Sequence, residues 1–188
     1  VAKFLAMEIS LITLLPAAIC AAGALLRYAD LLDEHEHAFI QQFATLGQAS
    51  QALLVRMVMR KGVMFRASKL TYLEIGAIEP AAAPLVALGW LDDQPSLGLD
   101  HLFQLLRKDE IARCFADVLE RPRAAKGELL EQLSALYAEA RPLRQWWPEF
   151  DEPMYVLHLQ ALCDRLRLLF FGNLHQDWSE FVLADLGL

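Results

Sequence analysis

The apolar positions between Gln51 and Tyr72 change their period partway along. Leu53, Leu54, Met57 and Val58 recur at helical spacing, whereas Val63, Met64 and Phe65 run consecutively after Gly62. This pattern predicts a helix, a glycine stop and a short strand over Val63 to Arg66. Elsewhere helical spacing prevails. Gly23 to Leu32 sets Leu25, Tyr28, Leu31 and Leu32 on one side of a helix. Asp33, with Glu36 three residues on, predicts a capping box that opens the next helix. In that helix Ala38, Phe39, Ile40 and Phe43 form the apolar side, and Gln41 and Gln42 point outward. Gly47 closes it, and Gln48 or Ser50 opens the helix that stops at Gly62. Ser68 is placed to cap a further helix with Tyr72 in its first turn. An Ala-rich helix follows over Glu79 to Gly89, leading into GWLDDQPSL with Trp90 and Leu91 as core residues. Asp100 to Cys114 divides into two short amphipathic helices meeting near Arg107 and Lys108. Three more helical segments cover Lys126 to Ala140, Pro153 to Phe171 and Gln176 to Leu186. RPLRQWWPEFDEP is a proline-bounded loop between the first two, and its Trp146 and Trp147 are expected to pack against helices rather than stack on bases.

A chain of 188 residues that is 56% hydrophobic can bury a sizeable core as one domain or two small ones. Leu and Ala dominate and β-branched residues are few, which favours a mainly α protein with a small β element. The order helix, turn, helix, strand, strand is similar to a winged-helix arrangement, in which a helix and a wing face a nucleic-acid duplex. The polar run RPRAAKGE after Pro122 suggests a boundary. The expected organisation is an apolar segment over 1–26, a winged-helix-like region over 27–121 and a helical, repeat-like region over 122–188. No internal sequence repeat is visible within the last.

Charge sharpens the picture around Gln51 to Tyr72. The chain holds 17 Lys+Arg against 24 Asp+Glu, a formal charge of -7. Yet no acidic residue lies between Glu36 and Glu74, while Arg56, Arg60, Lys61, Arg66 and Lys69 do. The net charge argues against polyanion binding by the whole surface but leaves room for a focused basic patch. Arg56 and Arg60 are spaced i, i+4 and share a helix face. A solvated basic face is the plain alternative; the missing interspersed acids weigh against it, since ordinary exposed helices mix both signs.

Other chemistry is sparse. The sequence has no Gly-rich phosphate loop, no H-E-x-x-H and no G-x-S-x-G. Asp92–Asp93 and Asp151–Glu152 are loop carboxylates, read as solvated or capping. His35 and His37, two residues apart, point in different directions on a helix and are read as surface. A restriction-type nuclease needs Glu-x-Lys or Asp-x-Lys to hold Mg²⁺ and activate water. The residues two positions before Lys3, Lys61, Lys69, Lys108 and Lys126 are Val1, Met59, Ala67, Leu106 and Ala124, so the motif is absent. Cys20, Cys114 and Cys163 are widely spaced and include no C-x-x-C, which fits a reducing, cytoplasmic setting. Ile9 to Leu26 is uncharged, with Pro16 inside it. A buried helix broken at Pro16, a secretory signal, a marginal membrane span and an aberrant start are all compatible with it; a membrane partner is the weakest of the overall expectations.

LLVRMVMRKGVMFRASKLTYLEIG, GWLDD, LFQLLRKDEI and the tail NLHQDWSEFVLADLG resemble the N-terminal region of the Fanconi-associated nuclease family in its bacterial form, in the family's order, over roughly residues 27–188. The resemblance implies a SAP-type, winged-helix-like DNA-binding region followed by helical repeats. It also implies a Mg²⁺- or Mn²⁺-dependent VRR-NUC domain acting on 5′ flaps and interstrand cross-links. That domain is expected to be missing from this chain, in line with the missing Glu-x-Lys, so no catalytic or metal-binding residue and no cofactor is assigned here. The family's usual first helix is replaced by the apolar Ile9 to Leu26 run. By resemblance, Arg56, Arg60, Lys61 and Lys69, with Tyr72 beside them, take DNA-contacting positions; the basic pattern adds Arg66. The expected function is a DNA-binding portion of a structure-specific repair nuclease that grips duplex phosphates. The alternatives are a helical interaction or homodimerisation module, and a membrane-attached helical protein resting on Ile9 to Leu26.

Overall fold

The structure, a computed structural model, describes residues 29–171. These divide into two compact units: one contains residues 29–63, 70–91 and 157–171, the other 64–69 and 92–156. The Ile9–Leu26 run, Cys20, the Gln176–Leu186 helix and most of the Gly23–Leu32 helix lie outside the described residues; Ala29–Leu31 is a single 3₁₀ turn.

In the first unit, helix α1 (Glu34–Thr45) opens on the expected capping box. The Glu36 N–H donates to Asp33 Oδ1 at 2.9 Å, and the Asp33 N–H donates to Glu36 Oε2 at 2.8 Å. Glu36 is 1% exposed. Its second oxygen accepts from Nε of Arg165 on α8 (Gln160–Phe171) at 2.5 Å, so one carboxylate starts α1 and ties it to α8. Helix α2 (Gln48–Val58) starts after Gly47, whose backbone is extended and which supplies no side-chain cap. Gln51 Nε2 donates at 2.8 Å to Phe43 O, which also accepts the Leu46 N–H at 3.2 Å, so α2 adds a second donor to a carbonyl at the end of α1. Ala52, Leu53, Leu54, Val55, Met57 and Val58 are all buried, and α2 packs against α3 (Ile78–Ala87) through Ala81, Ala82 and Leu85. Phe39 packs against Trp90 with ring centroids 4.8 Å apart and planes tilted by 47°, and the His158 N–H donates to Trp90 O at 3.0 Å. Trp90 and Leu91 are core residues, as their setting suggests.

Ser68 does not cap a helix, and Tyr72 does not lie in one. Ala67–Lys69 is a 3₁₀ turn and Leu70–Ala77 is irregular. Helix α3 begins only at Ile78, because Gly76 has φ +72°, a left-handed conformation that interrupts regular structure. Pro80 falls in the first turn of α3, where its missing N–H leaves no helical bond unmade.

In the second unit, β1 (Met64–Arg66) pairs antiparallel with β5 (Met154–Leu157), with Phe65 opposite Tyr155. The expected single helix over Pro153 to Phe171 is therefore a strand followed by α8. β1 carries backbone donors and acceptors that need partners, and Met-Tyr-Val-Leu is a strand-compatible run that supplies them. β2 (Leu91–Asp92) is followed by β3 (Ser96–Leu97), which pairs with β4 (Arg141–Pro142). Helices α4 (Leu99–Leu105) and α5 (Lys108–Cys114) meet at Arg107 as expected, and α4 packs on α6 (Lys126–Ser134). Helix α6 stops short of the expected Ala140. A short helix, α7 (Leu143–Trp146), occupies the loop expected over RPLRQWWPEFDEP. The core gathers Leu102, Leu106, Ile111, Leu119, Leu129, Leu133, Trp146 and Phe150. Leu119 and Leu129 flank the polar run after Pro122, which is thus a surface connection inside this unit. Trp146 is buried, and its Nε1 donates to Leu97 O at 2.9 Å, a packing role. Among the described residues no helix is long and apolar enough to cross a membrane.

Candidate functional site

The C-terminal end of α2 carries the basic cluster of the first unit. Arg56 and Arg60 lie one turn apart and flank the ring of Tyr72: the guanidinium carbons stand 4.9 and 5.5 Å from its centroid. Such stacking holds each planar group against the ring face. The turn that holds Tyr72 is anchored by buried Leu70 and Ile75, and closed by the Ile75 and Gly76 N–H groups donating to Tyr72 O at 3.3 and 3.1 Å. Gly62, at φ +88°, turns the chain sharply out of α2, and Arg60 and Lys61 are exposed just before it. Cations here also complement the negative end of the helix dipole.

The same turn brings back an acid. Glu74 Oε1 accepts from Arg56 Nε at 3.0 Å and Nη2 at 2.6 Å, with Arg56 mostly buried. The gap in acidic residues along the sequence is therefore closed in space at Arg56. Of Arg56, Arg60, Lys61 and Glu74, three are cations and one is an anion, so the cluster keeps two net positive charges. Arg60 and Lys61 carry its exposed face, and Arg56 orients Tyr72.

Arg66 belongs to the second unit and to a different chemistry. Its Nη1 donates to both oxygens of Glu110 at 2.9 and 2.8 Å, and its Nε and Nη2 donate to Glu152 Oε2 at 2.8 and 2.5 Å. The guanidinium lies over the Phe150 ring, 5.1 Å from its centroid. Glu152 Oε1 also accepts the Ser68 N–H at 2.8 Å, and Glu110 accepts the Arg107 N–H at the start of α5 at 2.7 Å. With its donors engaged by two carboxylates, Arg66 is a cross-link between β1, α5 and the segment entering β5. Neither Glu110 nor Glu152 is singled out by the sequence pattern. Glu110 looks like an ordinary N3 acid of a helix and Glu152 like a loop carboxylate, and each is far from Arg66 along the chain. Lys69, also in this unit, is exposed at the end of the 3₁₀ turn.

These carboxylates govern the response to acid. Burial acts to raise the pKa of Glu110, but the Arg107 N–H and the guanidinium of Arg66 outweigh it and hold it at about 2, against an ordinary 4.5. Burial likewise acts to raise the pKa of Glu152, but the Arg66 and Ser68 donors outweigh it and lower it. Groups depressed in the folded state contribute stability above their unfolded pKa, and lose it as pH falls toward the folded value. Stability is therefore expected to be flat from pH 7 to about 4.5 as far as these groups are concerned, then to fall by roughly 3 kcal/mol through Glu110 by about pH 2. Urea midpoints measured across this range check it, and Glu110→Gln should flatten the acid limb.

The remaining candidates carry no visible chemistry. Asp92 Oδ1 accepts the Gln94 N–H at 2.8 Å, a loop-capping role. His35 and His37 are exposed. Burial pushes the Cys114 thiol up to about 11, and its Sγ lies 3.2 Å from Trp146 O, so it is no thiolate nucleophile. Among the described residues no group of three or more His, Cys, Asp or Glu is arranged to hold a metal ion.

Comparison with known proteins adds four findings. Residues 23–92 match the family model for the FAN1 HTH domain, and residues 96–146 match the Fanconi anemia-associated nuclease SAP domain. A Fanconi-associated nuclease 1 homolog of Pseudomonas aeruginosa is 61% identical over 162 residues, which is 86% of this chain and 29% of that protein. One from Oryza sativa subsp. japonica is 29% identical over 86% of this chain and 18% of its own length. A crystal structure of paFAN1 bound to 2nt 5′ flap DNA with gap matches at a TM-score of 0.88 and 57% identity, over 94% of this chain and 32% of that one. The chain thus spans less than a third of the curated relatives named here.

Proposed function

Since the chain belongs to the Fanconi-associated nuclease family, by its match to the family's HTH and SAP domains, we propose that it is a DNA-binding part of a structure-specific repair nuclease. The observation that carries this reading is the stack of Arg56 and Arg60 on Tyr72, with Lys61 beside it, at the end of α2. The exposed Arg60 guanidinium and Lys61 ammonium suit phosphate oxygens, which position a duplex without reading its sequence. Arg66 is left out of this interface because Glu110 and Glu152 engage it, and Arg56 acts mainly by orienting its neighbours. The paFAN1 crystal structures, which hold 1nt and 2nt 5′ flap DNA, make flapped DNA the substrate to test.

The reading extends to 5′-flap and cross-link processing by the whole enzyme, with Mg²⁺ or Mn²⁺. The residues here do not fit that metal: the sequence lacks Glu-x-Lys, and the described residues offer no carboxylate cluster. We therefore assign these residues binding and no cleavage.

A gel-shift titration of the chain with 5′-flap DNA at several salt concentrations provides the test. The logarithm of affinity should fall linearly with the logarithm of salt, with a slope of roughly −2 to −4 for the phosphates neutralised. Binding that ignores salt, or no binding at low salt, would refute the proposal. Added Mg²⁺ should leave the DNA uncut.

A further inference from the structure

Glu74 is an acid inside the α2 cluster, and its place there runs against the charge of the proposed ligand. A carboxylate beside a phosphate-binding patch repels a polyanion. Yet Glu74 Oε1 accepts from both Nε and Nη2 of Arg56, at 3.0 and 2.6 Å, and the two side chains are only 21% and 16% exposed. The acid stands two residues past Tyr72, in the turn that the Ile75 and Gly76 N–H groups close on Tyr72 O and that buried Leu70 and Ile75 anchor. Ring and carboxylate therefore come from one turn, and both meet Arg56: the carboxylate takes its N–H groups, and the ring centroid lies 4.9 Å from its guanidinium carbon. Arg60, one helical turn on and exposed, stands over the same ring at 5.5 Å.

Two guanidiniums on one ring repel each other, as like charges spaced i, i+4 on a helix do. Holding a long side chain in one rotamer also costs conformational entropy. The two bonds from Glu74 act against both. They offset the charge of Arg56 and tie that side chain to the turn that carries Tyr72, so Arg60 shares the ring with a paired cation rather than a bare one. We propose that Glu74 is a positioning residue for DNA binding: by holding Arg56 on the Tyr72 ring it offsets the repulsion between the two arginines, and so keeps Arg60 on that ring in the orientation that meets a backbone phosphate. The proposal rests on the DNA-binding reading above and gives an acid a favourable part in holding a polyanion. Charge alone predicts the opposite sign, so a single neutral substitution separates the two.

Fluorescence anisotropy of the whole chain with 5′-flap DNA, over a series of salt concentrations and beside a thermal melt, is the test. Glu74→Gln removes a negative charge with little change of shape, yet it should weaken binding about fivefold at low salt and make the salt slope shallower by about one, the share of a single phosphate contact. The loss should run through Arg60. Glu74→Gln should weaken an Arg60→Met chain no further, while its effect should add in full to that of Lys61→Met. A merely structural role would lower the melting temperature and weaken both backgrounds alike. Tyr72→Leu removes the shared ring and leaves Glu74 and Arg56 able to pair, so it gives an independent arm, which decides if Glu74→Gln does not fold; it too should cancel the contribution of Arg60. Unchanged or tighter binding by Glu74→Gln, or a loss that adds in full to that of Arg60→Met, overturns the positioning role and leaves the DNA-binding reading standing. A contribution of Arg60 that survives Tyr72→Leu overturns it as well. Failure of the wild-type chain to bind flap DNA at low salt overturns both.

Discussion

Glu110→Ala is expected to lower the stability of the second unit by about 3–5 kcal/mol, the largest effect of any single change considered. The carboxylate is 3% exposed and engages Arg66 Nη1 with both oxygens. Its loss leaves a mostly buried guanidinium with Glu152 alone, and it also removes the acceptor for the Arg107 N–H at the start of α5. A domain's whole stability is about 5–15 kcal/mol, so such a loss approaches unfolding. Urea denaturation at pH 7 measures it. Glu110→Gln keeps one acceptor and should cost less. Arg66→Met should be costly in the opposite sense, by stranding two carboxylates. The double variant Arg66→Met, Glu110→Gln should be less unstable than the sum of its parts, because it removes a charge from each side. A measured loss under 1 kcal/mol for Glu110→Ala would mean that the cross-link contributes little. If Arg66 were instead a phosphate ligand, Arg66→Met would weaken DNA binding and leave the urea midpoint alone.

The second large effect is on binding. Reversal of both exposed cations, Arg60→Glu with Lys61→Glu, is expected to reduce affinity for flap DNA by about 100-fold or more at low salt, and to make the salt slope shallower by about two. Both residues are exposed beyond the last turn of α2, so folding stability should change by no more than about 0.5 kcal/mol. Arg56 is excluded from this variant on purpose. Its guanidinium is bound to Glu74 and stacked on Tyr72, so Arg56→Glu would place two carboxylates together and confound binding with misfolding. Fluorescence anisotropy at matched salt, beside a thermal melt, separates the two. Unchanged affinity would remove the α2 cluster from the interface, and a collapsed melt would make these side chains structural.

Local features were legible wherever neighbouring residues supply both halves of an interaction. The Asp33–Glu36 capping box, the α2–Gly62–β1 succession and the meeting of α4 and α5 at Arg107 all rest on groups a few positions apart, and each is present. The errors fall where the partner is remote. Met154–Leu157 has an apolar pattern open to helix or strand, and only the ladder to β1 settles it. Ser68 looked like a helix cap because its local setting allows one, but its N–H goes to Glu152, and Gly76 delays the next helix to Ile78. The basic run looked uncompensated because charges were counted along the chain. Glu74 returns to Arg56, and Glu110 and Glu152 return to Arg66, across separations that no periodicity records.

Sequence alone was enough to place the chain among mainly α proteins, to locate its basic stretch and to identify its family, because helical period, charge density and ordered motifs are properties of residue order. Tertiary structure decided which cations are exposed at the surface and which are internal cross-links. Between two carboxylates that are buried or half-buried, a guanidinium is held by interactions strengthened by low dielectric, whereas the cations past the end of α2 stay in contact with solvent. That distinction divides the Gln51–Tyr72 stretch. Arg60 and Lys61 face outward, Arg56 orients Tyr72, and Arg66 binds its own fold together.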